Sequence, residues 1–193
     1  AFRSMESIAW NRVFGEDGPK KVCGLIFERE GLKPVVLVNY ACHPVTLGRN
    51  HAISVDYPGR VVSTLNQAGY EAVFLNGFCG DIDPELNKDD WGSGTEASIN
   101  DYGRRIAEVS IRAIQNARPL LDLTLDSAEV PVRLPLQPLT KDMVQEAKTE
   151  IEAIRSTDPN HGRAIAWLDE MQIAEVLEAE TAIVQILRLG EVL

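Results

Sequence analysis

The sequence predicts an α/β fold: a mixed, largely parallel β-sheet flanked by helices, with a site at the carboxyl ends of the strands. Two observations carry this. First, residues 35–40 and 71–75 are apolar, strand-like runs, and the segment between them has room for a loop and a helix. Strand, loop, helix, strand is the order of a crossover unit, which makes the two strands parallel. Second, both runs stop in residues capable of chemistry. The first ends in Cys42-His43-Pro44 and the second in Gly77-Phe78-Cys79-Gly80-Asp81-Ile82-Asp83-Pro84. Open α/β sheets form their sites at that edge.

Residues 22–28 and 34–40 read as strands joined by a turn at 29–33, where Gly31 supplies a permissive backbone. The run Val35-Val36-Leu37-Val38 is apolar at successive positions, the pattern of a strand covered on both faces. A loop of about fifteen residues follows, a length associated with function, and it carries Asn50, His51 and Ser54. Asp56 reads as a helix N-cap, with Pro58 in the first turn and Val61, Val62 and Leu65 as the apolar face. Gly69 closes that helix, and 71–75 form the next strand. After a polar stretch at 87–94, a helix over 95–117 places Ile99, Tyr102, Ile106, Val109 and Ala113 at helical spacing. Residues 121–134 alternate apolar and polar, as one long or two short strands, at a sheet edge because of Pro131. Helices over 140–156 and 163–179 and a strand over 181–189 complete the pattern, with no internal repeat. The length suits one domain over 1–193.

The chain is 45% hydrophobic and 25% charged, the balance of a folded globular protein. No apolar run approaches the about 18 residues that span a membrane. A net charge of −10 with no Lys/Arg cluster argues against nucleic acid as a partner. Three cysteines without a close pair do not suggest a disulfide framework. Cys23 reads as a small buried hydrophobe, and Cys42 and Cys79 as packing residues.

His43 leaves a strand end and is restricted by Pro44, because proline confines the preceding residue to extended conformations. The crossover places Asp81 and Asp83 near it. Histidine with carboxylates suits zinc, which takes nitrogen and oxygen ligands and can keep a position open for water. Structural alternatives exist for each: a hydrogen-bonded histidine at 43, turn-capping aspartates at 81 and 83, a cap at 56, and loop residues at His51 and His161. A calcium loop from Asp83 fails for lack of the central glycine and terminal glutamate. Neither a serine-nucleophile elbow nor a phosphate-cradling glycine motif is present.

Together these motifs resemble the catalytic domain of the neutral/alkaline non-lysosomal ceramidase family. Tyr40-Ala41-Cys42-His43-Pro44 is similar to its Phe-Ala-x-His-Pro block, Asn50-His51 with Asp56 to its following Asn-His element, and Gly80-Asp81-Ile82-Asp83-Pro84 to its Gly-Asp-x-Ser-Pro block. Asn11-Arg12 is similar to an upstream Asn-Arg pair. The resemblance implies a zinc-dependent amidohydrolase in which His43 is a metal ligand and a metal-bound water attacks a small-molecule or lipid amide. It implies Asp83 or Asp81 as base or orienting group, and Arg12, His51 and Asp56 as substrate-binding residues. It also implies an extracytoplasmic location, secreted or periplasmic, and a chain that is part of a larger catalytic domain, with the other metal ligands outside it.

Asp83 stands where the family has serine. A carboxylate does not replace a serine nucleophile in amide cleavage, so the sequence also admits hydrolysis of a carbohydrate or other polar substrate. A third possibility is a non-catalytic binding or structural domain on the same scaffold.

Overall fold

In the computed structural model, residues 2–4, 7–48, 53–136, 140–153, 179–190 and 192 are described. The chain groups into two compact units, Ala1–Pro119 and Leu120–Leu193. In the first, chain order runs through strands β1 (Phe2–Ser4), β2 (Ala9–Asn11), β3 (Lys21–Phe27) and β4 (Val35–Tyr40), then helix α1 (Asp56–Gln67). Strands β5 (Glu71–Asn76) and β6 (Ile82–Pro84), a 3₁₀ turn at Glu85–Asn87 and helix α2 (Glu96–Gln115) follow.

The main sheet has the order β1-β3-β4-β5. β4 and β5 are parallel neighbours, in register from Val35↔Glu71 to Tyr40↔Asn76, as the crossover predicts. The other two pairs are antiparallel. The expected largely parallel sheet is therefore corrected to a mixed sheet with one parallel pair. Connection length explains part of this. Only a short turn, with Gly31 at φ 68°, separates β3 from β4, whereas a parallel crossover needs about a dozen residues or more.

Side chains along β4 alternate, with Val36, Val38 and Tyr40 buried and Val35, Leu37 and Asn39 partly covered. The buried set meets Val22 of β3, Phe74 of β5 and the inward faces of the two helices. α1 supplies Tyr57, Val61 and Leu65 at four-residue spacing. From α2 come Ile99, Tyr102, Ile106, Val109 and Ala113, the predicted face. Each fully buried aliphatic side chain here is worth about 1.5–3 kcal/mol. Tyr57 sits at the centre, edge-on to Phe74 at 5.8 Å and tilted against Tyr102 at 5.9 Å. α2 approaches α1 closely at Gly103, where a Cβ would lie 3.0 Å from the Tyr57 carbonyl oxygen. Thr95 and Ser98 form a reciprocal capping box that starts α2.

Two expectations about this sheet are corrected. The opposite face of the sheet is not closed among the described residues, since Val73 and Leu75 are each 45% exposed. Cys23 lies on that open face rather than in the core. Period-two alternation sends its neighbour Val22 inward and Cys23 outward, and a run of apolar residues hides that distinction.

The second unit contains β7 (Leu125–Pro135), α3 (Lys141–Ala153) and β8 (Ala179–Leu189). β7 and β8 pair antiparallel along their full length, Leu125↔Leu189 to Pro135↔Ala179. Pro131 is tolerated because both strands of a two-stranded sheet are edges. Cross-strand Arg188–Asp126 and Gln185–Glu129 contacts support the register. The helix expected over 163–179 and His161 lie outside the described residues. Among the described residues no helix is long and apolar enough to cross a membrane.

Candidate functional site

The parallel pair ends where the sequence places it, and the two loops that leave it are tied together. His43 donates its backbone N–H to the Ile82 carbonyl at 2.8 Å, and Gly77 donates to the Tyr40 carbonyl at 3.1 Å. The loop carrying His43 is anchored further along by Asn87, whose amide donates to the Val45 carbonyl at 3.1 Å, and by Gly94, which donates to Thr46. These bonds fix where His43 emerges.

A second, two-stranded sheet forms the other side. β2 pairs antiparallel with β6, placing Trp10 opposite Asp83 and Asn11 opposite Ile82. Asn11 caps the turn after β2, accepting from the N–H groups of Val13 at 2.9 Å and Phe14 at 3.0 Å through Oδ1. Its Nδ2 donates to Asp81 Oδ2 at 2.5 Å. The same turn directs Arg12 back over β6. Its N–H donates to the Asp81 carbonyl at 2.9 Å, its Nη2 donates to the Gly80 carbonyl at 2.9 Å, and its Nη1 lies 3.6 Å from Asp83 Oδ2.

Arg12, Asp81 and Asp83 are thus brought together across about 70 residues of sequence. Asp83 is only 2% exposed. Its Oδ2 faces Arg12, while its Oδ1 is buried without a partner among the described residues. A buried polar oxygen left unpaired costs about 1–3 kcal/mol, so such atoms call for an explanation, and a bound ligand or a catalytic role is one.

His43 turns its imidazole to Cys79, with Nδ1 3.6 Å from Sγ. Cys79 had been grouped with the packing residues. It does lean on the core, but its sulfur also touches the histidine. Cys42 is a packing residue outright: its side chain is fully buried and its carbonyl accepts the Tyr57 hydroxyl at 2.6 Å. Burial, then the negative charge of Asp83, pushes the Cys42 thiol well above its ordinary pKa, so it stays protonated. Burial likewise raises Tyr57.

Asp56 lies at the start of α1, apart from these bonds. The N-cap is Val55, and Asp56 is the first helical residue, with a left-handed φ of 49°. Its Oδ1 accepts from the Tyr57 N–H at 2.7 Å and its Oδ2 from the Leu47 N–H at 3.1 Å. These bonds hold the loop after His43 against the helix and offset the backbone strain. His51 lies outside the described residues.

Zinc accepts imidazole nitrogen, thiolate sulfur and carboxylate oxygen. His43 is a donor of the right kind at a rigid strand end. Among the described residues no group of three or more His, Cys, Asp or Glu side chains is arranged to hold an ion. His43 is thus a single candidate donor, and the described residues do not make up a zinc site.

Asn11, Asn76 and Cys79 were not among the expected site residues. Asn11 had a signal in its place beside Arg12. Asn76 is the last residue of a strand, and nothing in its own neighbourhood marks it.

No protein-family model matches the chain, and no curated protein matches it. Among solved structures, the neutral ceramidase from Pseudomonas aeruginosa is similar in fold, with a TM-score of 0.60 over 98% of this chain at 17% sequence identity. The chain spans 38% of the length of that structure. The fold is ceramidase-like.

Proposed function

We propose that this chain carries one wall of a metal-dependent hydrolase site that cleaves an amide (N-acyl) or related bond with a metal-activated water. The observation that supports this most is Asp83, a buried carboxylate with one oxygen on Arg12 and the other unpartnered, beside the strand end that presents His43. His43 would hold the zinc. Zinc supplies, when bound, a water of lowered pKa and a positive charge for a developing oxyanion.

The chain's own groups account for the rest. The unpartnered oxygen of Asp83 is buried, so it accepts a hydrogen bond or a proton from an enclosed water that relays to the substrate. Arg12 keeps that carboxylate oriented and, being half-exposed, can also face a substrate carbonyl oxygen. Asp81, held by Asn11, offers a second acceptor at the rim. Asp56 supports the loop from behind. Because Asp83 cannot act as a serine would, the substrate bears polar groups that a carboxylate can bind. Hydrolysis of a carbohydrate or another polar substrate is the second reading, favoured by the same buried carboxylate.

The test is hydrolysis of a panel of N-acyl amides and glycosides by the zinc-loaded complete protein that contains this chain. The expected result is turnover that falls about 100-fold or more in both His43→Ala and Asp83→Asn. Absence of turnover on every member by folded wild-type protein would refute the proposal.

A further inference from the structure

We propose that Asn76 and Cys79 form a relay that fixes the tautomer of His43, with the proton on Nδ1 and the lone pair on Nε2. Both are positioning residues, acting on the imidazole from the side away from its proposed work. The chemical role of His43 rests on the proposed function, but the tautomer does not.

The relay begins at Asn76. One end of its amide lies 3.2 Å from the Tyr40 carbonyl oxygen and 3.0 Å from the Cys42 carbonyl oxygen. Two acceptors admit only the NH₂ group there, so the hydrogen-bond network assigns the nitrogen to that end. The amide oxygen is then the atom 3.2 Å from Cys79 Sγ.

An amide oxygen accepts and never donates, so the single S–H proton of Cys79 points at Asn76. What the sulfur presents to His43, 3.6 Å away, is a lone pair. A bare Nδ1 would set lone pair against lone pair, whereas Nδ1–H donates to the sulfur. A neutral imidazole carries one N–H, which leaves Nε2 unprotonated. This is the tautomer that histidine in water populates less, so it needs a partner to hold it.

An imidazole whose second nitrogen donates to a fixed acceptor is oriented, and its free nitrogen is ready to bind a metal ion or accept a proton. Backbone carbonyls and carboxylates are the usual acceptors. Here a thiol takes that place, held in turn by an amide that reads two carbonyls at the ends of the parallel strands.

The experiment is long-range ¹H–¹⁵N correlation of the histidine rings in the metal-free chain, at a pH about one unit above the ordinary imidazole value of about 6.5 and below the ordinary thiol value of about 8.5. The His43→Ala spectrum assigns the ring. The relay predicts an Nδ1–H pattern for His43, reversion toward Nε2–H in Cys79→Ala and in Asn76→Leu, and retention in Cys79→Ser. Asn76 is exposed, so its variant keeps the test alive should Cys79→Ala fail to fold. A predominantly Nε2–H ring in the wild type, or a pattern unchanged by both removals, would overturn the relay. Zinc titration of the same variants in the complete protein separates the two proposals. An intact Nδ1–H pattern without zinc binding leaves the relay standing and removes the metal from His43. Zinc binding weakened about 10- to 100-fold by Cys79→Ala supports both.

Discussion

The two loops that leave the parallel strand pair are built from similar residues and differ in almost every physical respect. After β4, Cys42 is fully buried and its carbonyl is held by Tyr57. After β5, Phe78 is wholly exposed, Cys79 is partly covered, and the Gly80 carbonyl accepts from the guanidinium of Arg12. One loop is a floor continuous with the core and the other is an open rim. Asp83 joins them, buried with the floor but paired to a rim arginine. The difference shows how one sheet edge can combine fixed and accessible groups: the floor fixes positions, and the rim leaves groups exposed.

The floor is tested hardest by alkali. Cys42, Tyr57, Tyr40 and Tyr102 are all raised by burial above ordinary values of 9.0 for the thiol and 10.0 for the phenols. They stay protonated in the folded chain and ionise earlier in the unfolded one. Their contribution is therefore complete below pH 9 and is lost as pH rises through and beyond these ordinary values. Urea-unfolding midpoints should fall steeply above that point, by up to about 1.4 kcal/mol per group per pH unit, and less steeply in Tyr57→Phe. An unchanged midpoint would mean that these groups are not sealed in.

The link between floor and rim is tested by Arg12→Ala. It removes the cation facing a buried carboxylate, and the half-exposed position of Arg12 moderates the effect. The expected loss is about 1–3 kcal/mol by denaturant titration. Pairing the change with Asp83→Asn should recover much of it, because the charge needing a partner is then gone. Strict additivity would show that the two side chains do not interact.

The floor was more legible in the sequence than the rim. Two apolar runs separated by a capped, amphipathic segment specify a crossover with little ambiguity, and β4, α1, β5 and the apolar face of α2 followed. β2 and β6 did not, because three-residue strands carry no readable period and are set by contacts between residues about 70 positions apart, such as Asn11 with Asp81. The short turn at Gly31 makes β3, the other neighbour of β4, antiparallel, which leaves one parallel pair where a largely parallel sheet is expected. Cys79 reads as a packing residue in the sequence, whereas its contacts with His43 and Asn76 are assembled by the fold. Asp83 draws notice in the sequence as a carboxylate soon after a strand end. That it is buried with one oxygen unpartnered is not legible there, since burial of that carboxylate follows from the pairing of β2 with β6.

The central claim is that the strand end carrying His43 is part of a metal site. It is tested most directly by zinc analysis of the complete protein that contains this chain beside its His43→Ala variant, with both proteins shown to be folded. The account predicts about one equivalent of tightly bound zinc per wild-type protein and its loss in the variant. Equal zinc in the two proteins, or none in the wild type after reconstitution, would contradict it.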